Sequence, residues 1–137
     1  MSKIFTLSEA SSIAIHGMVL IAKSDVKLNV NQIAEKIDSS KHHVAKVFQR
    51  LAKENLVSSN RGPSGGFILK KDPEEISLLD IYEVIEGKIE IEGCMQDKEE
   101  CAFDSCILGN ISNDLACRFR AYLKDKFLIN YLDKAYN

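Results

Sequence analysis

The sequence predicts a mainly α-helical fold with a small β-hairpin, in which a winged helix-turn-helix precedes a long C-terminal dimerisation helix. Two short helical patterns meet at the turn DSSK, and strand-forming residues flank a Gly- and Pro-containing centre at 56–69. A long amphipathic pattern then begins at Asn113. Two helices joined by a tight turn and followed by a hairpin are typical of a winged helix-turn-helix. We therefore expect a winged domain at 1–87, a cysteine-containing loop at 88–110 and a dimerisation helix at 111–137.

The first two helices are predicted from apolar residues at helical spacing. Residues 10–23 are crowded with aliphatic side chains, as in a buried helix, and Ser8 can cap its start. Residues 29–38 place Ile33 and Ile37 four positions apart, which puts both on one face of a short helix.

A third helix is expected at 41–54, with Ser39 or Ser40 as its cap. Its apolar residues recur at helical intervals and form one stripe, made of Val44, Val47, Phe48 and Leu51. The segment LVSSNRGPSGGFIL at 56–69 then predicts the hairpin, with Arg61 near its tip.

The second half of the chain predicts two more helices. Ser77 and Asp80 have the spacing of a capping box, and Gly87 is a stop signal for the helix that they begin. A long amphipathic helix is expected from Asn113 to about Ala135, as an arm for a partner subunit; the alternative is that it packs back on its own domain. Cys117, with apolar neighbours within that helix, is expected to be a small core residue.

Charge is distributed unevenly along the chain, whose net charge is −2. Residues 41–71 contain seven basic side chains and one acidic one, a net charge of +6. Residues 72–110 contain twelve acidic and two basic side chains, a net charge of −10. A basic segment in an acidic protein indicates a polyanion site. The alternative is that both segments are simply solvated surfaces.

The third helix and the hairpin supply candidate DNA-binding residues. A helix fits the major groove of DNA, and the residues at its N-terminal end reach base edges. Residues further along the helix are better placed for phosphate, and an arginine on a hairpin tip can enter the minor groove. The candidates are Ser40, Lys41, His42, His43, Lys46, Arg50 and Arg61. The alternative for His42 and His43 is that they are exposed surface residues with no ligand.

Three cysteines follow in an acidic segment, with the spacing Cys94-x6-Cys101-x4-Cys106. This is not the paired CxxC pattern of many structural zinc sites, so the spacing does not identify a metal. Acidic neighbours disfavour bare thiolates, whereas a bound cation drives thiol deprotonation. The residues therefore favour a metal-bound site over a bare thiol switch.

The segment NVNQIAEKIDSSKHHVAKVFQRLAKENLVSSNRGPSGGFILKKDPEEISLLDIYEVIEG resembles the IscR/NsrR/CymR-type winged-helix transcription regulators, the Rrf-two family. RGPSGGF and the LKKDPEEISLLDIYEVIEG that follows carry the most specific part of the resemblance. It implies a homodimer that binds a double-stranded DNA operator, with base-reading positions near His42 and Ala45 and the wing arginine at Arg61.

The same resemblance favours the cluster-binding branch of the family. It implies that Cys94, Cys101 and Cys106 bind an iron–sulfur cluster, either 2Fe–2S or 4Fe–4S. The branch histidine three residues after the last cysteine is replaced here by Gly109. Other branches take a ligand from the partner's first helix, and that resemblance implies His16 from the partner chain as the candidate fourth ligand, with Glu9 a less well-placed substitute for the acidic residue that accompanies it there. The alternative for His16 is a packed histidine on a buried helix.

The expected function is that of a DNA-binding transcription regulator controlled by a cluster that senses redox state, nitric oxide or iron–sulfur status. The alternative is a cofactor-free or zinc-stabilised regulator controlled by thiol oxidation or by a protein partner. No phosphate-binding loop, HExxH motif or nucleophile elbow is found, so no enzyme is expected. The absence of a membrane-length apolar stretch and of a secretory signal pattern predicts a cytoplasmic protein.

Overall fold

The computed structural model describes residues 5–91 and 100–133. Within these residues, five α-helices and a two-stranded sheet are followed by a short 3-10 helix, in the order expected for a winged helix-turn-helix. The elements are α1 (Glu9–Lys23), α2 (Val30–Ile37), α3 (Lys41–Lys53), β1 (Val57–Asn60), β2 (Gly66–Leu69), α4 (Leu78–Glu86), α5 (Ile111–Asp125) and the 3-10 helix (Leu128–Tyr131).

Helix α1 lies at the centre of the domain and contacts α2, α3, α4, β2 and the 3-10 helix. It packs closely on α3 because Gly17 faces the ring of Phe48. A Cβ atom at Gly17 would lie 2.7 Å from two carbon atoms of that ring. The larger core side chains with almost no exposure are Ile13, Met18, Ile33, Val44, Phe48, Leu51, Val57, Ile76, Ile81 and Leu128.

The helix starts follow the local sequence signals. The hydroxyl of Ser8 accepts a hydrogen bond from the backbone N–H of Ser11 at the start of α1, as predicted. The predicted capping box of α4 is also confirmed, with Ser77 and Asp80 each bonded to the backbone of the other. Ser40 occupies the N-cap position of α3, but its side chain makes no capping hydrogen bond to the described backbone.

The predicted hairpin is confirmed, and its register pairs Val57 with Leu69 and Asn60 with Gly66. A Cβ atom at residue 65 would collide with the carbonyl oxygen of Asn60, so this turn requires glycine. The hairpin is joined to the segment before α2, where the N–H of Phe67 donates to the carbonyl of Leu28 at 2.8 Å. This bond fixes the base of the wing against the helix-turn-helix.

The C-terminal helix is shorter than predicted. It ends at Asp125 rather than near Ala135, so the helix expected across 126–133 is wrong. Lys126 is extended, and its carbonyl accepts a hydrogen bond of 2.8 Å from the N–H of Leu78. The chain then folds back so that Leu128 is fully buried and its N–H donates to the carbonyl of Ile76 at 3.0 Å. Burial of Leu128 in the core favours this turn over a continued helix. Residues 134–137 lie outside the described residues.

Helix α5 packs on α4 through aromatic contacts. The rings of Tyr82 and Phe119 meet edge to face with centroids 5.3 Å apart, and Phe5 lies 5.7 Å from Phe119 on another side. Much of α5 remains uncovered in the single chain. The expectation that Cys117 is a core residue is wrong, because its side chain is exposed on α5. No helix in the described ranges is both long and apolar enough to cross a membrane.

Candidate nucleic-acid interface

One face of α3 is free of core contacts and carries polar side chains along its length. The helical repeat of 3.6 residues places this face opposite the buried stripe of Val44, Val47, Phe48 and Leu51. The side chains on it are exposed and comprise His42, Lys46, Gln49 and Lys53. We call these four residues the outer face of α3. It offers basic groups for phosphate and hydrogen-bonding groups for base edges.

Sequence reasoning missed one member of the outer face, Gln49. Its position follows from the same helical spacing, since it lies seven residues after His42 and four before Lys53. A glutamine amide can both donate to and accept from an adenine edge. The helical spacing in the sequence is therefore sufficient to place Gln49 on this face, although its side chain carries no charge.

The other predicted contacts at the start of α3 and on the wing are exposed. Ser40 and Lys41 lie at the N-terminal end of the helix, and Arg61 lies at the turn between β1 and β2. The first N–H groups of a helix are without intrahelical partners, which favours a bound anion there. Phosphate or base contact by these residues remains a prediction.

Two predicted DNA contacts lie on the flank of α3 and are bonded within the chain. His43 Nδ1 lies 3.0 Å from Glu9 Oε1 at the start of α1, and both side chains are exposed. Arg50 Nη2 donates to the carbonyls of Val84 and Ile85, at 3.0 and 2.9 Å. These contacts attach the flank of α3 to α1 and α4. The prediction that Arg50 reaches phosphate remains untested.

A carboxylate lies beside this flank, at the end of α4. Glu86 Oε1 accepts hydrogen bonds from the hydroxyls of Ser8 and Ser11, the latter at 2.7 Å. These two bonds, with a smaller contribution from the nearby Arg50 charge, lower the pKa of Glu86 below its ordinary value. Glu86 is therefore ionised at neutral pH, which adds negative charge at the C-terminal end of α4.

The described part of the cysteine segment presents two free thiols. Cys101 and Cys106 are both exposed, whereas the third predicted ligand, Cys94, lies outside the described residues. Across residues 5–91 and 100–133, no group of three or more His, Cys, Asp or Glu side chains is placed to hold a metal ion. The predicted metal site is therefore not assembled by the described residues of one chain.

The candidate fourth ligand, His16, is not buried. Its side chain is exposed on α1, and its Nδ1 lies 2.7 Å from the carbonyl oxygen of Ser12. The alternative of a packed core histidine is therefore wrong. This exposure leaves the ring accessible to a second chain.

Comparisons with known proteins agree with this architecture. Residues 7–130 match the family model Rrf2, described as an iron-dependent transcriptional regulator. The HTH-type transcriptional regulator IscR of Serratia proteamaculans is 33% identical over 94 residues, which cover 68% of this chain and 57% of IscR. The chain thus spans little more than half the length of that relative.

Solved structures show the same fold at lower identity. CymR, the global cysteine regulator of B. subtilis, superposes with a TM-score of 0.77 at 21% identity, covering 97% of this chain and all of CymR. T. potens IscR gives a TM-score of 0.75 at 22% identity, covering 98% of this chain and 95% of that one. These likenesses confirm the winged-helix fold. With the family match across most of its length, the chain belongs to the Rrf2 family, and the relatives that it matches are named transcriptional regulators.

Proposed function

We propose that this protein is a homodimeric, sequence-specific DNA-binding regulator whose operator affinity is controlled by an iron–sulfur cluster. The observation that carries the DNA-binding part is the outer face of α3, four exposed polar side chains with no core role. Arg61 on the wing provides a second basic contact. Binding to chromosomal DNA would place the protein in the cytoplasm.

The salt dependence of binding tests the DNA contacts. A duplex is first recovered by selection from a random-sequence pool and then titrated at several salt concentrations. Each neutralised phosphate contributes about 0.9 to the logarithmic salt slope, and each substitution acts in both chains of the dimer. Lys46→Ala and Arg61→Ala should therefore each weaken binding and reduce the slope by about 1.8. Lys88→Ala is the matched control, since it removes one exposed cation outside residues 41–71. Unchanged slopes for both test variants would contradict the assigned contacts.

Apolar surface supports assembly as a dimer. Ile107, just before α5, is 74% exposed, and Tyr122, within α5, is 57% exposed. A cleft of about 360 Å³ lies between the end of α4 and α5, and its mixed lining includes the apolar Phe5, Leu115 and Phe119 beside charged residues. Large exposed apolar side chains favour a protein partner, and a second copy of the chain is the commonest one.

The cysteines support control by a cluster through their donor chemistry. Iron–sulfur clusters are held by thiolates, and Cys101 and Cys106 are free, exposed thiols. With Cys94 they would supply three ligands, and His16 of the partner subunit would supply a fourth. A bound cluster would supply one-electron redox chemistry, which differs from the thiol oxidation that the cysteines themselves can undergo.

Cysteine variants separate cluster binding from the alternatives. After purification without oxygen, Cys101→Ser and Cys106→Ser should lose iron, acid-labile sulfide and visible absorbance while remaining folded. Cys117→Ser is the matched control, because this exposed thiol lies outside the triplet. Retention of the chromophore by both test variants would show that the assignment is wrong. Wild-type protein that contains zinc but no sulfide would indicate a zinc-stabilised regulator. Wild-type protein that contains no metal would indicate control by thiol oxidation or by a protein partner.

A further inference from the structure

The flank of α3 is attached to the last turn of α4 by one side chain. The last carbonyls of a helix lack intrahelical partners and favour a nearby cation. Helix α4 has no basic residue in its own last turn. Arg50 of α3 supplies this cation and donates to the carbonyls of both Val84 and Ile85. Thus the helix that carries the outer face is bonded to the end of α4.

The same turn of α4 is bonded to α1. Glu86 accepts from Ser8, the N-cap of α1, and from Ser11, which is fully buried. The charge of Arg50 also acts on the Glu86 carboxylate. Three helices therefore meet at one polar contact, which we call the α4 junction and define as Ser8, Ser11, Arg50 and Glu86 with the carbonyls of Val84 and Ile85.

The junction lies at the end of α4 that leads into the cysteine-containing segment. Helix α4 ends at Glu86, Gly87 follows as its C-cap, and the next residues are that segment, at 88–110. The turn whose carbonyls accept from Arg50 is therefore the last helical turn before the segment. The contacts continue from Arg50 through the backbone of α3 to the outer face.

We propose that Arg50 is a positioning residue that acts through the α4 junction, rather than a direct phosphate contact. It sets the orientation of α3, and with it that of the outer face, by bonding α3 to the end of α4, which Glu86 in turn bonds to α1. This inference rests on the proposed function, because it concerns the same DNA site.

Replacement of Arg50 distinguishes positioning from phosphate contact. Arg50→Lys keeps the charge but loses the planar fork that bonds two carbonyls. A positioning role predicts about tenfold weaker binding to the selected duplex with an unchanged salt slope. A phosphate contact predicts near-normal binding by Arg50→Lys and, because both chains of the dimer lose the contact, a slope reduced by about 1.8 in Arg50→Ala. That second pattern overturns the proposal. Lys53→Ala, on the outer face, is the reference for a lost phosphate contact.

Replacement of Glu86 tests the junction from its other side. Removal of an acidic residue by itself strengthens binding to a polyanion slightly. Glu86→Ala should instead weaken binding severalfold, because it frees the α4 turn from α1. Glu74→Ala is the matched control, since it removes one exposed carboxylate outside both the junction and segment 88–110. If Glu86→Ala binds the duplex as tightly as the wild-type protein or more tightly, and no differently from the control variant, the coupling of α4 to α1 through Glu86 is contradicted.

Amide hydrogen exchange in the DNA-free protein tests the α4 junction independently of whether the protein binds DNA. Arg50→Lys and Glu86→Ala should each speed amide exchange in α3 and in the last turn of α4, relative to Glu74→Ala. Unchanged exchange there contradicts the junction even if the protein binds DNA. Failure of the wild-type protein to select any duplex, with exchange altered as stated, contradicts the proposed function and leaves the junction intact.

Discussion

Leu128→Ala is the substitution that tests the folded-back C-terminal segment. Leu128 has no exposed surface, and its backbone and that of Ile129 donate hydrogen bonds to the carbonyls of Ile76 and Pro73. Replacing a fully buried leucine with alanine leaves a cavity and costs about 3 kcal/mol. For a chain of this size, that loss lowers Tm by about 10 °C.

The assay is thermal unfolding monitored by circular dichroism, at one fixed protein concentration because association shifts Tm. Ile129→Ala is the matched control, since the neighbouring side chain is 44% exposed and its removal should cost about 1 kcal/mol or less. Equal Tm shifts for the two variants would refute the buried position of Leu128. That result would favour the continuous C-terminal arm expected from sequence.

Three further changes probe the packing and electrostatics of the domain. Gly17→Ala should lower Tm through a cost of about 1–3 kcal/mol, because the new methyl group meets the ring of Phe48; an unchanged Tm would contradict this close approach. Asn29→Ala removes the capping box of α2 and should cost about 1 kcal/mol in urea unfolding, whereas a neutral result would mean that the cap contributes nothing. The pKa of Glu86 is lower in the folded protein than the ordinary carboxyl value of 4.5, so ionised Glu86 stabilises the fold at any pH above 4.5. This stabilisation is lost as the pH falls through the lower pKa of the folded state. Urea midpoints measured between pH 5 and pH 3 should therefore fall less steeply in Glu86→Ala, and equal slopes would contradict the shift.

The first four helices and the wing could be predicted from sequence because their signals are local. Caps such as Ser8 and Ser77 lie within three or four residues of the groups they bond. The apolar stripe of α3 is complete within two helical turns. Each such element is determined largely by its own residues.

The C-terminal segment could not be predicted in the same way. Phe127, Leu128 and Tyr131 continue a helical pattern, so the local signal favours a longer α5. The bonds that decide otherwise join this segment to Pro73, Ile76 and Leu78, which are far away in sequence. Tertiary contacts therefore override the local propensity.

The candidate site was predictable in composition but not in the role of each residue. The basic character of α3 and the exposure of Arg61 follow from the sequence. Which side chains face outward depends on the neighbours of α3. His43 and Arg50 meet Glu9 and the end of α4, and no periodicity within α3 indicates those partners.

Native mass spectrometry of protein purified without oxygen and mixed with the selected duplex tests the central claim most directly. The account predicts a complex of two chains and one duplex that also carries iron and sulfide, with the added mass distinguishing 2Fe–2S from 4Fe–4S. Two chains on a duplex without iron and sulfide would contradict cluster control. Protein that remains monomeric or binds no duplex would contradict the proposed regulator itself.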